Sequence, residues 1–269
     1  MWTIEKYDEL TSTNDIARER VTAGVAPNGL VIQTDHQSAG RGRLPGRQWS
    51  DERGKSLLTT VVLTDVPRVF VELAPYVAAL SAAYSVRTIL QSIIQFFDPS
   101  RIRIKWPNDV HLDGKKFCGV LSEAVWSGNT VRALLLGMGA NVNQDRFDDR
   151  LRHSATSLYS ITRRTLNVDI IRDQLLAGLA SFIDRARVMP ELQFRASVLS
   201  ELRLELGWMK LLPPFDVELN TGEIVRMVRF AGLEQDGGMR VEPVDGGAVV
   251  LYSGTLLHGD SAERIAKAM

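Results

Sequence analysis

The chain has 269 residues, 45% of them hydrophobic, with Lys+Arg and Asp+Glu equal at 32 each. That length supports one large core plus a smaller appended unit, and the charge balance excludes a global basic field that would draw nucleic acid or an anionic membrane. A single cysteine excludes an intramolecular disulfide and fits a reducing, cytoplasmic setting, while Met1 to Lys6 shows no basic segment leading into an apolar run.

The first predicted element is a strand from Trp2 to Tyr7, followed by Thr11-Ser12-Thr13-Asn14 ahead of a helix from Asp15 to Thr22. These polar residues read as N-caps, and the same geometry also directs free N–H groups and a hydroxyl at a small polar ligand. Asn28-Gly29 marks a turn, and Leu30 to Thr34 forms a buried strand leading into Asp35 to Ala39. Gln37 there carries both a donor and an acceptor, and also reads as a solvated loop residue. Gly40-Arg41-Gly42-Arg43-Leu44-Pro45-Gly46-Arg47-Gln48-Trp49 then places three arginines, three glycines and a tryptophan within ten residues. Between two strands, the second running from Ser56 to Leu63, this is either an anion-binding loop or a solvated basic turn. Trp49 offers a flat face on which a purine or another apolar body could stack. Gly54-Lys55-Ser56 is no P-loop, because Trp49 stands where that motif needs glycine; Gly40 and Gly42 likewise lack the third glycine of a dinucleotide fingerprint, since Pro45 stands there.

Apolar spacing predicts a core helix from Phe70 to about Ile94, with Pro75 near its first turn or at a kink. Arg101 to Trp106 alternates as a strand and stops at Pro107-Asn108-Asp109, which puts Lys105 at the end of a rigid element where sites are built. Val110 to Leu112, an Asp113-Gly114 hairpin and a strand from Lys116 to Val125 follow. Lys115 and Lys116 read as hairpin lysines, and Cys118 as a small buried hydrophobe. A further strand, Val131 to Gly137, leads into Met138 to Asn143, where glycines permit close ligand approach and asparagines can read an adenine edge, or simply form a turn. Three helical patterns lie between Ser154 and Leu206, with Ile170 to Val188 the clearest. After Gly207 the short strands Met209–Leu212, Asp216–Leu219, Ile224–Ala231, Met239–Glu242 and Ala248–Ser253 alternate with Pro- and Gly-rich turns, which predicts a small β-barrel. His36, His111, His153 and His258 have no ligand spacing, so a protein-bound metal is not expected.

Four stretches in order, Ser12-Thr13-Asn14, Gly40-Arg41-Gly42-Arg43 with Trp49, Lys105-Trp106-Pro107-Asn108-Asp109 and Gly137 to Asn143, resemble biotin protein ligases over nearly the whole chain. One departure is the pair Leu44-Pro45 where the family usually has one residue, so Arg41 and Arg43 match its pattern more closely than Arg47. The resemblance implies an α+β fold: a mixed β-sheet with packed helices of the biotin/lipoate ligase kind over residues 1–206, then an SH3-like β-barrel over 207–269. It leaves no room before Ser12 for the DNA-binding domain of some members. It implies formation of biotinyl-AMP from biotin and ATP with Mg²⁺, then transfer to a lysine of a biotin carboxyl carrier protein or domain. Ser12, Thr13, Asn14, Gln37, Gly40, Arg41, Gly42, Arg43 and Lys105 would contact biotin; Lys105 and Arg43 would also stabilise the reacting charge. Arg47, Trp49, Asn108, Lys116 and Asn141 would contact the nucleotide. Pairing of two chains stays open, with strand Val131 to Gly137 a candidate edge. The alternatives are a lipoate ligase or octanoyl transferase of the same fold and, from another class, a non-catalytic anion-binding module.

Overall fold

The structure is a computed structural model describing residues 2–43, 46–149, 151–244 and 246–257. The Leu44-Pro45 departure, Asp245 of the last predicted turn and His258 lie outside the described residues. Seven strands, β1 (Thr3–Tyr7), β2 (Leu30–Thr34), β3 (Ser56–Leu63), β4 (Ile102–Lys105), β5 (Asp109–Leu112), β6 (Lys115–Ser127) and β7 (Thr130–Asn141), form one sheet. Its order is β1-β2-β3-β7-β6-β5-β4. β1 and β2 run parallel, linked by helix α1 (Thr13–Thr22), and every other neighbouring pair is antiparallel.

Side chains alternate across a strand, so each face of this sheet can be read from residue parity. On β7, Leu134, Leu136, Met138 and Ala140 enter the larger apolar cluster, whereas Ala133 and Leu135 pack with Ala17 and Val21 of α1. The larger cluster is covered by α2 (Arg68–Ile93), α4 (Val168–Val188) and α5 (Glu191–Glu205); α3 (Leu158–Thr162) is a single short turn. α2 is apolar almost all round, and by length and composition alone it could cross a membrane. Its buried residues from Val69 to Leu90 lie in the core instead, as expected of a helix with neighbours on several sides.

The second sheet corrects the barrel expectation. β8 (Phe215–Glu218), β9 (Ile224–Leu233), β10 (Met239–Pro243), β11 (Val249–Leu251) and β12 (Thr255–Leu257) follow the open order β11-β10-β9-β8-β12. Among the described residues β11 and β12 do not pair, so the sheet is not closed. Closure requires matched tilt and stagger around the whole circuit, and three-residue strands at both ends carry too few ladder bonds to supply it. The turns placed β8 to β11 but missed β12, and they could not say whether the outer two strands meet.

Three further expectations change. Met209–Leu212 is not a strand; a 3₁₀ turn over Gly207–Leu211 buries Trp208 and Met209. Met138 to Asn141 is not a loop but the end of β7. Nor is Val131–Gly137 a free edge, since Leu134 to Gly137 already pairs with β3 on one side and β6 on the other. The second sheet rests on the first through a shared core that includes Phe215, Val217, Val228 and Val241. Two polar contacts fix the join: Trp208 Nε1 donates to the Ile104 carbonyl (3.1 Å), and the Tyr76 hydroxyl to that of Gly237 (2.8 Å).

Candidate active site

The odd-numbered face of β7 changes character along its length. Ala133 and Leu135 lie under α1, and then Gly137, Gly139 and Asn141 form the floor of a cavity of about 320 Å³. On β6, Gly119 pairs with Gly139, and Leu121 with Gly137. The glycines are required by close approach: a Cβ on Gly137 would overlap Asn14 Oδ1, and one on Gly139 would stand 2.7 Å from the Trp49 ring. From Gly137 to Asn141 the floor spans roughly 14 Å at strand rise.

One end is a neutral hydrogen-bonding network. The Thr13 N–H donates to Gln37 Oε1 (2.8 Å), and the Thr13 hydroxyl donates to the same oxygen (3.1 Å). The Thr60 hydroxyl lies 2.6 Å from Asn14 Oδ1 and 2.8 Å from Thr13 Oγ1, and Asn14 Nδ2 donates to Glu123 Oε2 at 2.6 Å. Ser12 stands at the N-cap of α1 but its side chain makes no capping bond, so its hydroxyl is not spent on the helix. Arg41 pairs with Asp15 and approaches Glu123 to 3.9 Å.

The other end is cationic. Lys116 Nζ is 2.7 Å from Asp109 Oδ1 and 5.7 Å from the centroid of the Trp49 ring. Burial opposes ionisation of Asp109, but the neighbouring bases, Lys116 foremost with His111 and Lys105, together outweigh it and hold the carboxyl below the usual range. Lys105 faces Asp109 across the β4–β5 ladder. Its ammonium has no hydrogen-bond or ion-pair partner among the described residues, and burial lowers its pKa. An unspent, desolvated cation at a strand end is what a site for anions contains. Behind these groups His111 is buried and neutral, its pKa pushed down to about 3 by burial, with Nδ1 donating to the Gly114 carbonyl (3.0 Å).

The arginine loop forms a narrow hairpin over the cavity. Trp49 N–H donates to the Gly40 carbonyl (3.0 Å) and Gly42 N–H to that of Arg47 (2.7 Å), while His36 Nδ1 and Asp51 Oδ2 lie 2.9 Å apart at its base. Gly40 and Gly42 permit this approach, since a Cβ on Gly40 would come within 2.9 Å of the Trp49 carbonyl. Arg43 reaches the second sheet, donating to Asn220 Oδ1 (3.1 Å) and to the Gly254 carbonyl (2.6 Å).

Of the residues singled out by sequence, Ser12, Thr13, Asn14, Gln37, Arg41, Gly42, Arg43, Arg47, Trp49, Asn108, Lys116 and Asn141 line this one cavity; Gly40 and Lys105 do not. Two of the amides are committed to the protein: Asn108 Nδ2 donates to the Val120 carbonyl, and Asn141 Nδ2 to that of Thr156 (3.1 Å). Asp109, Gly119, Glu123 and Thr255 were not picked out. Gly119 inside a strand, and Gly137 two residues before Gly139, are signals of a close approach; nothing local announces Thr255, which arrives from β12.

The arrangement accepts an elongated ligand with a neutral polar head and an anionic tail. The family model described as Biotin/lipoate A/B protein ligase family matches residues 7–141. The chain is 36% identical over 155 residues to the bifunctional ligase/repressor BirA of Bacillus subtilis, a match covering 56% of this chain and 45% of that protein. It is 32% identical over 203 residues to the biotin--[acetyl-CoA-carboxylase] ligase of Mycobacterium tuberculosis, covering 72% of this chain and 71% of that one. The fold is similar to a biotin protein ligase from Aquifex aeolicus solved with biotin and ATP, with a TM-score of 0.74 at 23% identity over 96% of this chain and 100% of that one. The Bacillus match thus spans less than half of its relative, whereas the mycobacterial one spans most of it, and on these grounds the chain belongs to the biotin/lipoate A/B protein ligase family, among the biotin protein ligases.

Proposed function

We propose that the chain is an ATP-dependent biotin protein ligase. The observation that carries this reading is the polarity of the cavity: Thr13, Asn14, Gln37 and Thr60 offer donors and acceptors at one end, and Lys116, Arg43 and Arg47 offer cations towards the other. A ureido head needs both donors and acceptors, and a nucleoside phosphate needs cations, with a flat side chain such as Trp49 for its base.

In the first step a carboxylate oxygen of biotin attacks the α-phosphorus of ATP, and pyrophosphate leaves with the bond electrons. Lys116 and Arg43 from the lining, and Lys105 from across the ladder beside Asp109, lower the cost of the charge gathering around that phosphorus. In the second, the neutral ε-amine of a carrier-domain lysine attacks the acyl carbon of biotinyl-AMP; AMP departs and the amine loses its proton. The arginine loop covers the adenylate and keeps water from it. Among the described residues no group of three or more His, Cys, Asp or Glu could hold a metal ion. A Mg²⁺ accompanying ATP would be held largely by phosphate oxygens and water. The buried free thiol suits the reducing cytoplasm in which we place the reaction.

The sister activity, octanoyl transfer through a cysteine, is disfavoured by Cys118. Its side chain points to the core face of β6, away from Gly119, and burial pushes the thiol up to about 12. The deciding experiment supplies ATP and Mg²⁺ with biotin, lipoic acid or octanoic acid and follows pyrophosphate. Release with biotin alone is expected; release with lipoic or octanoic acid and none with biotin would overturn the reading.

A further inference from the structure

The contact between the arginine loop and the second sheet is built from both sides. On the sheet side, its two acceptors sit at one corner. β8 ends at Glu218, whose partner in β12 is Thr255, so Gly254 immediately before Thr255 and Asn220 just beyond Glu218 come together. Gly254 is buried with φ +154°, and a Cβ there would meet Val217 Cγ1 at 2.6 Å, so only glycine aims this carbonyl as it stands. The turn holding Asn220 is braced by Leu219 N–H donating to the Glu223 carbonyl (2.8 Å) and Gly222 N–H to that of Leu219 (3.0 Å). The corner is fixed relative to the cavity, because Trp208 and Tyr76 tie the second sheet to β4 and α2.

On the loop side, Arg43 is partly buried, and burial lowers its pKa against the opposing pull of Asp109. A guanidinium has five N–H donors, and the corner takes one from each terminal nitrogen. Three donors remain for the cavity that Arg43 and Thr255 both line.

We propose that the second sheet is the holder of Arg43: the Asn220 side-chain carbonyl and the Gly254 main-chain carbonyl fix the guanidinium over the cavity, which makes Asn220 a positioning residue. Order in the loop, and retention of an activated intermediate beneath it, then depend on a segment far along the chain from every family motif. The consequence for the intermediate rests on the ligase reading; the clamp itself does not.

The test uses the full chain with Asn220→Ala and Asn220→Asp. Asn220 is exposed, so neither change touches the core. Trypsin cleavage after Arg41, Arg43 or Arg47 reads the clamp without any ligand. Loss of one hydrogen bond to a charged group predicts cleavage about ten-fold faster in Asn220→Ala. Cleavage slower than in the unmodified chain is expected for Asn220→Asp, which offers an anionic acceptor. With biotin, ATP and a bystander protein, labelling of unrelated lysines should follow the same order. Equal cleavage in all three forms, or Asn220→Asp as fast as Asn220→Ala, would overturn the clamp. Altered cleavage with unaltered bystander labelling would overturn its role in retention. If the unmodified chain released no pyrophosphate with biotin, the ligase reading would fall while the cleavage order still decided the clamp.

Discussion

Trp49 rests on Gly139: with the nearest ring carbon 2.7 Å from where a Cβ would be, the indole occupies the place of the missing side chain. Gly119, the cross-strand partner of Gly139, meets the same ring less tightly, at 3.2 Å. Gly139→Ala must therefore push the ring off the floor. Overpacking of this kind costs about 1–3 kcal/mol, and we expect it in nucleotide use, as a KM for ATP raised roughly ten-fold with biotin affinity changed far less. Trp49 fluorescence should shift in the same variant, and an unchanged KM for ATP would remove Trp49 from the nucleotide site.

Lys105→Met tests the unpartnered cation. Pyrophosphate release should fall by about 10²–10³-fold, the range for removal of one preorganised charge-stabilising group. Stability should move the other way. Because burial lowers the Lys105 pKa, the unfolded chain holds this proton more tightly; the charged lysine therefore costs stability at neutral pH, and the cost fades as pH rises toward 10.5. A melting midpoint about 2–4 °C higher at pH 7 is expected, with the gain shrinking in alkali. A lower midpoint would mean that Lys105 has a structural partner.

His111 gives the fold an acid-sensitive component. Its pKa falls from 6.5 to about 3 on folding, so its contribution is complete above 6.5 and is lost as pH drops toward 3. The slope is roughly 1 kcal/mol per pH unit in that window. His111→Asn retains a donor for the Gly114 carbonyl and does not titrate there. Between pH 7 and pH 5 the stability gap between the two proteins, measured by urea unfolding, should shift by roughly 2 kcal/mol in favour of the variant.

Cys118 should be dispensable for chemistry. Cys118→Ala is expected to keep biotin-dependent pyrophosphate release within about two-fold, while losing roughly 1 kcal/mol of stability through the emptied core volume. Thiol-alkylating reagents should leave the folded protein active. Rapid inactivation by such a reagent would return the transferase reading to consideration.

Much of the site was legible because its chemistry is local. β2 and β3 have the bounds expected from their apolar runs, and Thr13, Gln37, Arg43, Trp49 and Lys116 do converge on one cavity. What local pattern could not supply is which face a residue takes and what it meets. Asn108 and Asn141 suggested ligand readers, yet both amides bond to backbone, one to the Val120 carbonyl of β6 and the other to that of Thr156 in the segment before α3. The barrel failed for a related reason: turn residues mark where strands break, while closure depends on edges that are distant in sequence. Lys105 was expected to face the ligand; it pairs with Asp109, which does line the cavity, but is not itself among the lining residues.

The alternation on β7 leaves the strand with two reading frames. Gly137, Gly139 and Asn141 serve the cavity, while Leu136, Met138 and Ala140 between them serve the hydrophobic interior. One inserted residue before Gly137 would exchange the assignments that follow it, presenting Met138 and Ala140 to solvent-filled space and burying glycines where bulk is needed. Substitution can therefore retune this site one position at a time, but a change in strand length cannot be absorbed without rebuilding site and core together.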